Sequence, residues 1–198
     1  MKKYLQIALM IFCVSVVFTS CKDDDNNDDA IVEAYKLENE QAFQAKGNDP
    51  DFLKMSIQGA GDNFVYAKKL KEGNEPQIPI YYNSRVTVYY KGWLIDSKKD
   101  EPFDQCVPYA EPVKFAVSAA SSNYNSYTGQ GIPKPILGWT IALQHMKVGE
   151  IWEVWIPQQL AYGSAEQDNI PAYSTLIFEI EVVERTSEVA GTDDKEGY

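Results

Sequence analysis

The sequence holds few residues that could work as nucleophiles. It has three cysteines and one histidine. Cys13 lies inside an apolar N-terminal run, Cys21 follows that run, and Cys106 stands alone. A lone cysteine can attack a carbonyl, but His145 sits in a helical pattern far from Cys106 in sequence, so a Cys–His pair is not the expectation. No cluster of His, Cys and carboxylates has metal-ligand spacing, so no metal is expected. Aromatic side chains are the other residue type that could line a site. Periodicity alone places Trp139 and Phe178 on core faces, where a ring is ordinary packing. Asp104 alone reads as a turn residue, and Tyr162 before Gly163 as loop composition.

The elements that position these residues are legible from alternation and helical spacing. Val86, Val88 and Tyr90 alternate with Thr87 and Tyr89, a strand that Gly92 closes. Val113–Val117 reads as another strand, Ile151–Ile156 as a third, and Leu176, Phe178, Ile180 and Val182 as the buried side of a last one. Between them, Ile136, Trp139, Leu143 and Met146 form one apolar stripe of a short helix over Pro135–Lys147. Pro135 suits its first turn and Gly149 lies past its end. Ser118–Lys134 is small, polar and glycine-bearing, a long loop. A single amphipathic helix must bury its stripe, and a sheet offers one apolar face. The expected fold class is therefore α+β: an antiparallel twisted sheet wrapped over one short helix.

Upstream, Ile31–Lys46 has helical character and Gly47-Asn48-Asp49-Pro50 stops it. Phe52–Ile57 follows, then a Gly59–Asp62 break, and Phe64–Lys71 alternates as a strand. Met1-Lys2-Lys3 with the apolar Leu5–Phe18 reads as a signal peptide, too short for the roughly 20 residues of a membrane-spanning helix. Val17–Cys21 resembles a bacterial lipobox, which makes Cys21 the candidate lipidation site and membrane anchor. Lys22–Asp29 is expected to be a solvated tether. Removing residues 1–20 takes the net charge from −11 to −13. Such acidity makes nucleic acid a poor partner. The expected division is 1–20 signal peptide, 21–30 lipidated tether, 31–72 N-terminal extension, 73–184 globular domain and 185–198 acidic tail. The expected location is the cell envelope, on the periplasmic face or the cell surface.

Val88–Leu94, Pro102-Phe103-Asp104, Pro135–Trp139, Met146–Glu150, Ala161-Tyr162-Gly163, Ile170-Pro171 and Thr175–Glu179 occur in the order and near the spacing of the FKBP isomerase pattern. Residues 73–184 thus resemble an FKBP-type peptidyl-prolyl cis-trans isomerase. The resemblance implies a proline pocket of Tyr90, Phe103, Asp104, Trp139 as floor, Tyr162 and Phe178. Ile136 would contact substrate through its amide, and Val113 and Ile170 would be further walls. It implies proline-containing peptides or unfolded segments as partners, no cofactor, and isomerisation of X–Pro bonds in extracytoplasmic proteins. Related extracytoplasmic proteins dimerise through N-terminal helices, which leaves a homodimer open.

Such chemistry needs no nucleophile. Rotation about X–Pro faces a barrier of ~18–20 kcal/mol because the planar amide is resonance-stabilised. A pocket need only favour the twisted amide. Several positions depart from the family pattern. The arginine that often follows the aspartate is absent, so Asp104 must find another partner or stay solvated. Val113 stands where an aromatic wall is common, and Ser164–Asn169 replaces a histidine-bearing segment. These departures keep a second reading open: a binding module or chaperone with little turnover. Two further expectations concern surfaces. Ser118–Lys134 should overhang the substrate groove. Ile151 and Trp155, joined by Tyr89, should point outward from the sheet and be covered by part of residues 31–60, or by a second subunit.

Overall fold

The computed structural model describes residues 25–73, 76–108, 110–118 and 131–187. The signal peptide, Cys21, most of the Ser118–Lys134 loop and the end of the chain lie outside the described residues. The elements are α1 (Asp25–Ala45), β1 (Leu53–Met55), β2 (Val65–Lys71), β3 (Ser84–Leu94), β4 (Asp104–Cys106), β5 (Val113–Ala116), α2 (Leu137–His145), β6 (Ile151–Ile156) and β7 (Leu176–Ser187). Among the described residues no helix is long and apolar enough to cross a membrane.

One seven-stranded sheet carries the fold, in the order β1-β2-β6-β7-β3-β4, with β5 on β3. All its ladders are antiparallel. β4 and β5 share one edge of β3: β4 pairs its residues 90–92 and β5 its residues 85–88. The alternation of β6 and β7 sets the inner face. Trp152 pairs with Ile180, Val154 with Phe178 and Ile156 with Leu176, and all six side chains are buried. On β3 the same rows continue to Tyr90, Gly92 and Leu94.

α2 lies on that inner face. Gly138 lets it approach, since a Cβ there would stand 2.3 Å from Ile156 Cγ2. Every residue from Gly138 to Leu143 is buried, so the helix is covered nearly all round and not along one stripe. The helix is also shorter than Pro135–Lys147. Ile136 is its N-cap and Pro135 precedes the cap, outside the first turn.

Three boundaries differ from expectation. The tether is cut short because α1 already begins at Asp25. Asp28 and Asp29 fall near the start of this helix, where carboxylates suit the positive end of its dipole. The division at residue 73 separates what the sheet joins: β2 pairs with β6 from Tyr66 to Lys71. The tail starts later than 185, since β7 runs on to pair Ser187 with Ser84.

α1 packs on the outer face. Phe43, 3% exposed, has its ring centroid 5.0 Å from Tyr66 and 5.5 Å from Phe64. Lys46 Nζ stands 4.4 Å from the Trp155 ring centroid and 4.2 Å from that of Phe52. Residues of the 31–60 segment therefore do gather at Trp155. Ile151 and Tyr89 lie at the other end of this face, both opposite Glu181, where Tyr89 donates to the Ala110 carbonyl at 3.4 Å.

Candidate active site

The inner face at β3, β7 and α2 is a box of aromatic rings. Strand alternation turns Tyr90 and Phe178 inward, and the third position of α2 drops Trp139 between them. Trp139, 3% exposed, has its ring centroid 5.3 Å from Tyr90, 5.2 Å from Phe178 and 5.1 Å from Phe115. All three contacts are edge-on, the arrangement that ring quadrupoles prefer. Phe103 closes the box from the other side, 5.7 Å from Phe178. Gly92 makes room for it: a Cβ there would lie 2.7 Å from both Phe103 Cζ and Phe178 Cε1. The Phe103 amide also donates to the Gly92 carbonyl at 2.8 Å, which fixes where the ring enters.

Polar groups sit around the mouth. The Tyr90 hydroxyl donates to Asp104 Oδ2 at 2.7 Å. That contact gives the aspartate the partner its sequence context left open. Burial first, and then the hydrogen bond to Asp104, hold the Tyr90 phenol well above its ordinary range. Tyr162 is pushed up as well, by burial and then by the Asp104 charge. Both hydroxyls therefore stay protonated, able to donate, at neutral pH. Tyr162 is 39% exposed and within reach of a ligand.

Ile136 has extended backbone angles (φ −60, ψ 156). Its carbonyl accepts from the Trp139 amide at 3.0 Å. The first N–H groups of α2, which have no intrahelical acceptors, lie at this end. The indole Nε1 of Trp139 is buried with no hydrogen-bond partner among the described residues. Leaving such a donor unpaired costs about 1–3 kcal/mol.

These groups line one cavity of about 1010 Å³. Tyr90, Phe103, Asp104, Ile136, Trp139, Tyr162 and Phe178 all face it. Two expected wall residues do not. Val113 is replaced in that role by Phe115, two residues further along β5. Alternation makes the two equivalent in facing, and only the register, Phe115 opposite Val86, places Phe115 beside Trp139. Ile170 is 7% exposed and packs in the core. Its backbone closes a tight turn with Gln167 through bonds of 3.0 and 3.1 Å.

The cavity also has a side that sequence reasoning missed. Ile57, Gln58, Gly59, Ala60 and Asn63 line it, as do Tyr82, Lys134, Leu137 and Ala161. The 57–63 turn belongs to the N-terminal extension. Gly59 (φ 87) and Gly61 (φ 62) are both left-handed. The Gly59–Asp62 break was the available signal, but it shows that the chain turns and not what it turns towards. Among the described residues no group of three or more His, Cys, Asp or Glu side chains is arranged to hold a metal ion. Cys106 is a buried free thiol, its Sγ 3.3 Å from the Glu111 carbonyl. His145 is exposed at the end of α2, with Nε2 2.8 Å from the Ser56 carbonyl.

Comparison with known proteins places this geometry in a family context. Residues 79–183 match the family described as FKBP-type peptidyl-prolyl cis-trans isomerase. Over 101 residues the chain is 41% identical to the FKBP-type 22 kDa peptidyl-prolyl cis-trans isomerase of Escherichia coli, covering 50% of this chain and 40% of the relative. It is 31% identical over 157 residues to the FKBP-type peptidyl-prolyl cis-trans isomerase FkpA of Buchnera aphidicola, covering 78% of this chain and 54% of that one. The chain thus spans about half or less of the length of these curated relatives. A crystal structure of a peptidyl-prolyl cis-trans isomerase from Pseudomonas syringae superposes with a TM-score of 0.58 at 28% identity, over 79% of this chain and 96% of that one. FkpA from Escherichia coli superposes with a TM-score of 0.60 over 82% of this chain and 66% of that one, and at 24% identity it attests the fold.

Proposed function

Because the chain belongs to the FKBP-type peptidyl-prolyl cis-trans isomerase family, we propose that it isomerises X–Pro bonds by binding the proline ring in the aromatic box and favouring the twisted imide. The observation that carries this reading is the position of Trp139, with three rings around its indole at 5.1 to 5.3 Å. A proline ring resting on that floor loses the water that stabilises the planar, more polar amide. As the C–N bond rotates, resonance is lost and the carbonyl swings out of plane. In this reading the Tyr162 hydroxyl, kept protonated, and the amide end of Ile136 hold the carbonyls that flank the ring. Such contacts accelerate rotation only to the extent that they fit the twisted form better than the flat one. Each tenfold gain lowers the barrier by about 1.4 kcal/mol.

The substrates in this reading are proline-containing peptides and unfolded segments of extracytoplasmic proteins, and the chain is held at a membrane by lipid on Cys21. The uncatalysed step takes tens to hundreds of seconds, long enough to delay folding of exported chains. The test is a proline-isomerisation assay on the chain, with Tyr162→Phe and Trp139→Leu beside it. Tyr162→Phe is expected to lower kcat/KM about tenfold, the worth of one hydrogen bond made in the transition state. Trp139→Leu is expected to abolish most turnover. Wild-type turnover equal to that of Trp139→Leu would overturn the reading. The lipid anchor is tested separately, by metabolic labelling with a fatty acid and its loss in Cys21→Ala.

A further inference from the structure

The loop that carries Tyr162 is not held by the isomerase core alone. After Gly163 the chain runs to Tyr173, whose amide donates back to the Gly163 carbonyl at 2.7 Å. Tyr173 is the one residue other than glycine with a positive φ among the described residues (φ 65). A bulky side chain in that region carries strain, and strain persists only where the surroundings over-determine it. The surroundings here come from α1, more than a hundred residues away in sequence.

Asn39 is the main contact. It is fully buried (0% exposed), an unusual place for an amide. Its Oδ1 accepts the Thr175 amide at 2.7 Å, and its carbonyl accepts Thr175 Oγ1 at 3.0 Å. Its Nδ2 donates to the Tyr35 carbonyl one turn earlier, at 2.9 Å. Tyr35 adds a hydroxyl contact of 2.9 Å to Ser174 Oγ, which itself donates to the Pro171 carbonyl at 2.7 Å. Lys36 Nζ lies 5.4 Å from the Tyr173 ring centroid. One face of α1 thus grips 173–175, and 173 grips 163, the neighbour of Tyr162. A helix that only covered apolar surface would need Phe43 and not a buried asparagine.

We infer that Asn39 is a positioning residue for the isomerase reaction: α1, through Asn39 and Thr175, holds Tyr173 in its left-handed conformation and thereby sets the Tyr162 hydroxyl at the mouth of the pocket. The inference rests on the proposed role of Tyr162 in holding a substrate carbonyl. It makes the N-terminal helix part of the catalytic apparatus, although no residue of α1 lines the cavity.

The experiment is a double-mutant cycle between Asn39→Ala and Tyr162→Phe, with amide hydrogen exchange at Tyr173 measured alongside. Each single change is expected to lower kcat about tenfold with KM little altered, and the double variant to be scarcely worse than either, the non-additivity of linked residues. Tyr173 exchange is expected to quicken about tenfold or more in Asn39→Ala through local opening, while amides of β3 keep their protection. If Asn39→Ala fails to fold, Thr175→Val tests the other bond of the same grip, from Thr175 Oγ1 to the Asn39 carbonyl, at constant shape: it should lower kcat and quicken Tyr173 exchange, and Thr175→Ser, which keeps the hydroxyl, should restore both. Additive costs in the cycle, or unchanged Tyr173 exchange, overturn the inference and leave the isomerase reading standing. Absence of turnover in the unaltered chain instead overturns the isomerase reading and the catalytic part of this inference with it.

Discussion

The Tyr90 hydroxyl donates to Asp104 across 2.7 Å, so the first inward strand and the strand beside it meet at the rim of the pocket through one charge-assisted bond. Tyr90→Phe keeps the ring that Trp139 needs and removes only this donor. It is expected to cost about 1.5–3 kcal/mol in urea unfolding, the range for a bond to a charged group. Asp104→Asn, which retains an acceptor, should cost less. Equal stability of wild type and Tyr90→Phe would show the bond to be idle.

Gly92 is where the backbone passes closest to two pocket rings. Gly92→Ala places a methyl group against Phe103 and Phe178 at 2.7 Å. Overpacking of this kind is expected to cost about 1–3 kcal/mol. Activity should fall further than the fraction unfolded explains, because both displaced rings face the cavity. A variant with normal turnover would mean the rings are free to move aside.

The alkaline limb of stability has a predicted sign. Tyr90 and Tyr162 are both raised, mainly by burial, and Lys69 is raised mainly by its hydrogen bond to Glu150. Above about pH 10 the unfolded chain sheds protons that the folded chain keeps, so unfolding becomes easier as pH rises through the ordinary tyrosine and lysine range. Below that range these groups add no slope. Thermal melts should fall between about pH 9.5 and 11, and Tyr90→Phe should flatten the fall. A flat melting temperature across that window would contradict the assignment.

The 57–63 turn gives the groove a second side. Gln58 is exposed at the cavity wall, so Gln58→Trp should narrow the groove without disturbing the core. The expected result is a change in preference across a panel of X–Pro peptides: kcat/KM should fall about tenfold more for large X than for alanine, the worth of a few apolar contacts. An unchanged profile would mean that peptides do not touch this turn.

Phe43 anchors the outer packing of α1. Phe43→Ala is expected to cost about 3–5 kcal/mol and to raise binding of a hydrophobic dye as Tyr66 and Phe64 are uncovered. A loss under about 1 kcal/mol would mean that α1 is held by its polar contacts alone.

Much of this site could be read from the chain because strands alternate strictly. Leu176, Phe178, Ile180 and Val182 announce one face, and Trp152, Val154 and Ile156 announce the face they meet. Trp139 follows from its place in a helical stripe. What stayed hidden was set by register and by contacts between distant segments. Val113 and Phe115 point the same way, and only the pairing of β5 with β3 decides which reaches the pocket. Nothing local marks Asn39 as a buried bridge, since its partner Thr175 is 136 positions away. The helix start is ambiguous in sequence because a run of acids fits a solvated tether and a helix N-terminus equally well.

The long separation between Asn39 and Thr175 has a consequence for how the molecule is made. α1 is synthesised well before the segment it grips, because Thr175 follows Asn39 by 136 positions. Phe178, one of the rings around the indole, arrives with that same segment. Until β7 is synthesised and inserted between β6 and β3, a nascent chain has neither a complete pocket nor a fixed Tyr162. With that order of synthesis, the ring box is completed in one late step.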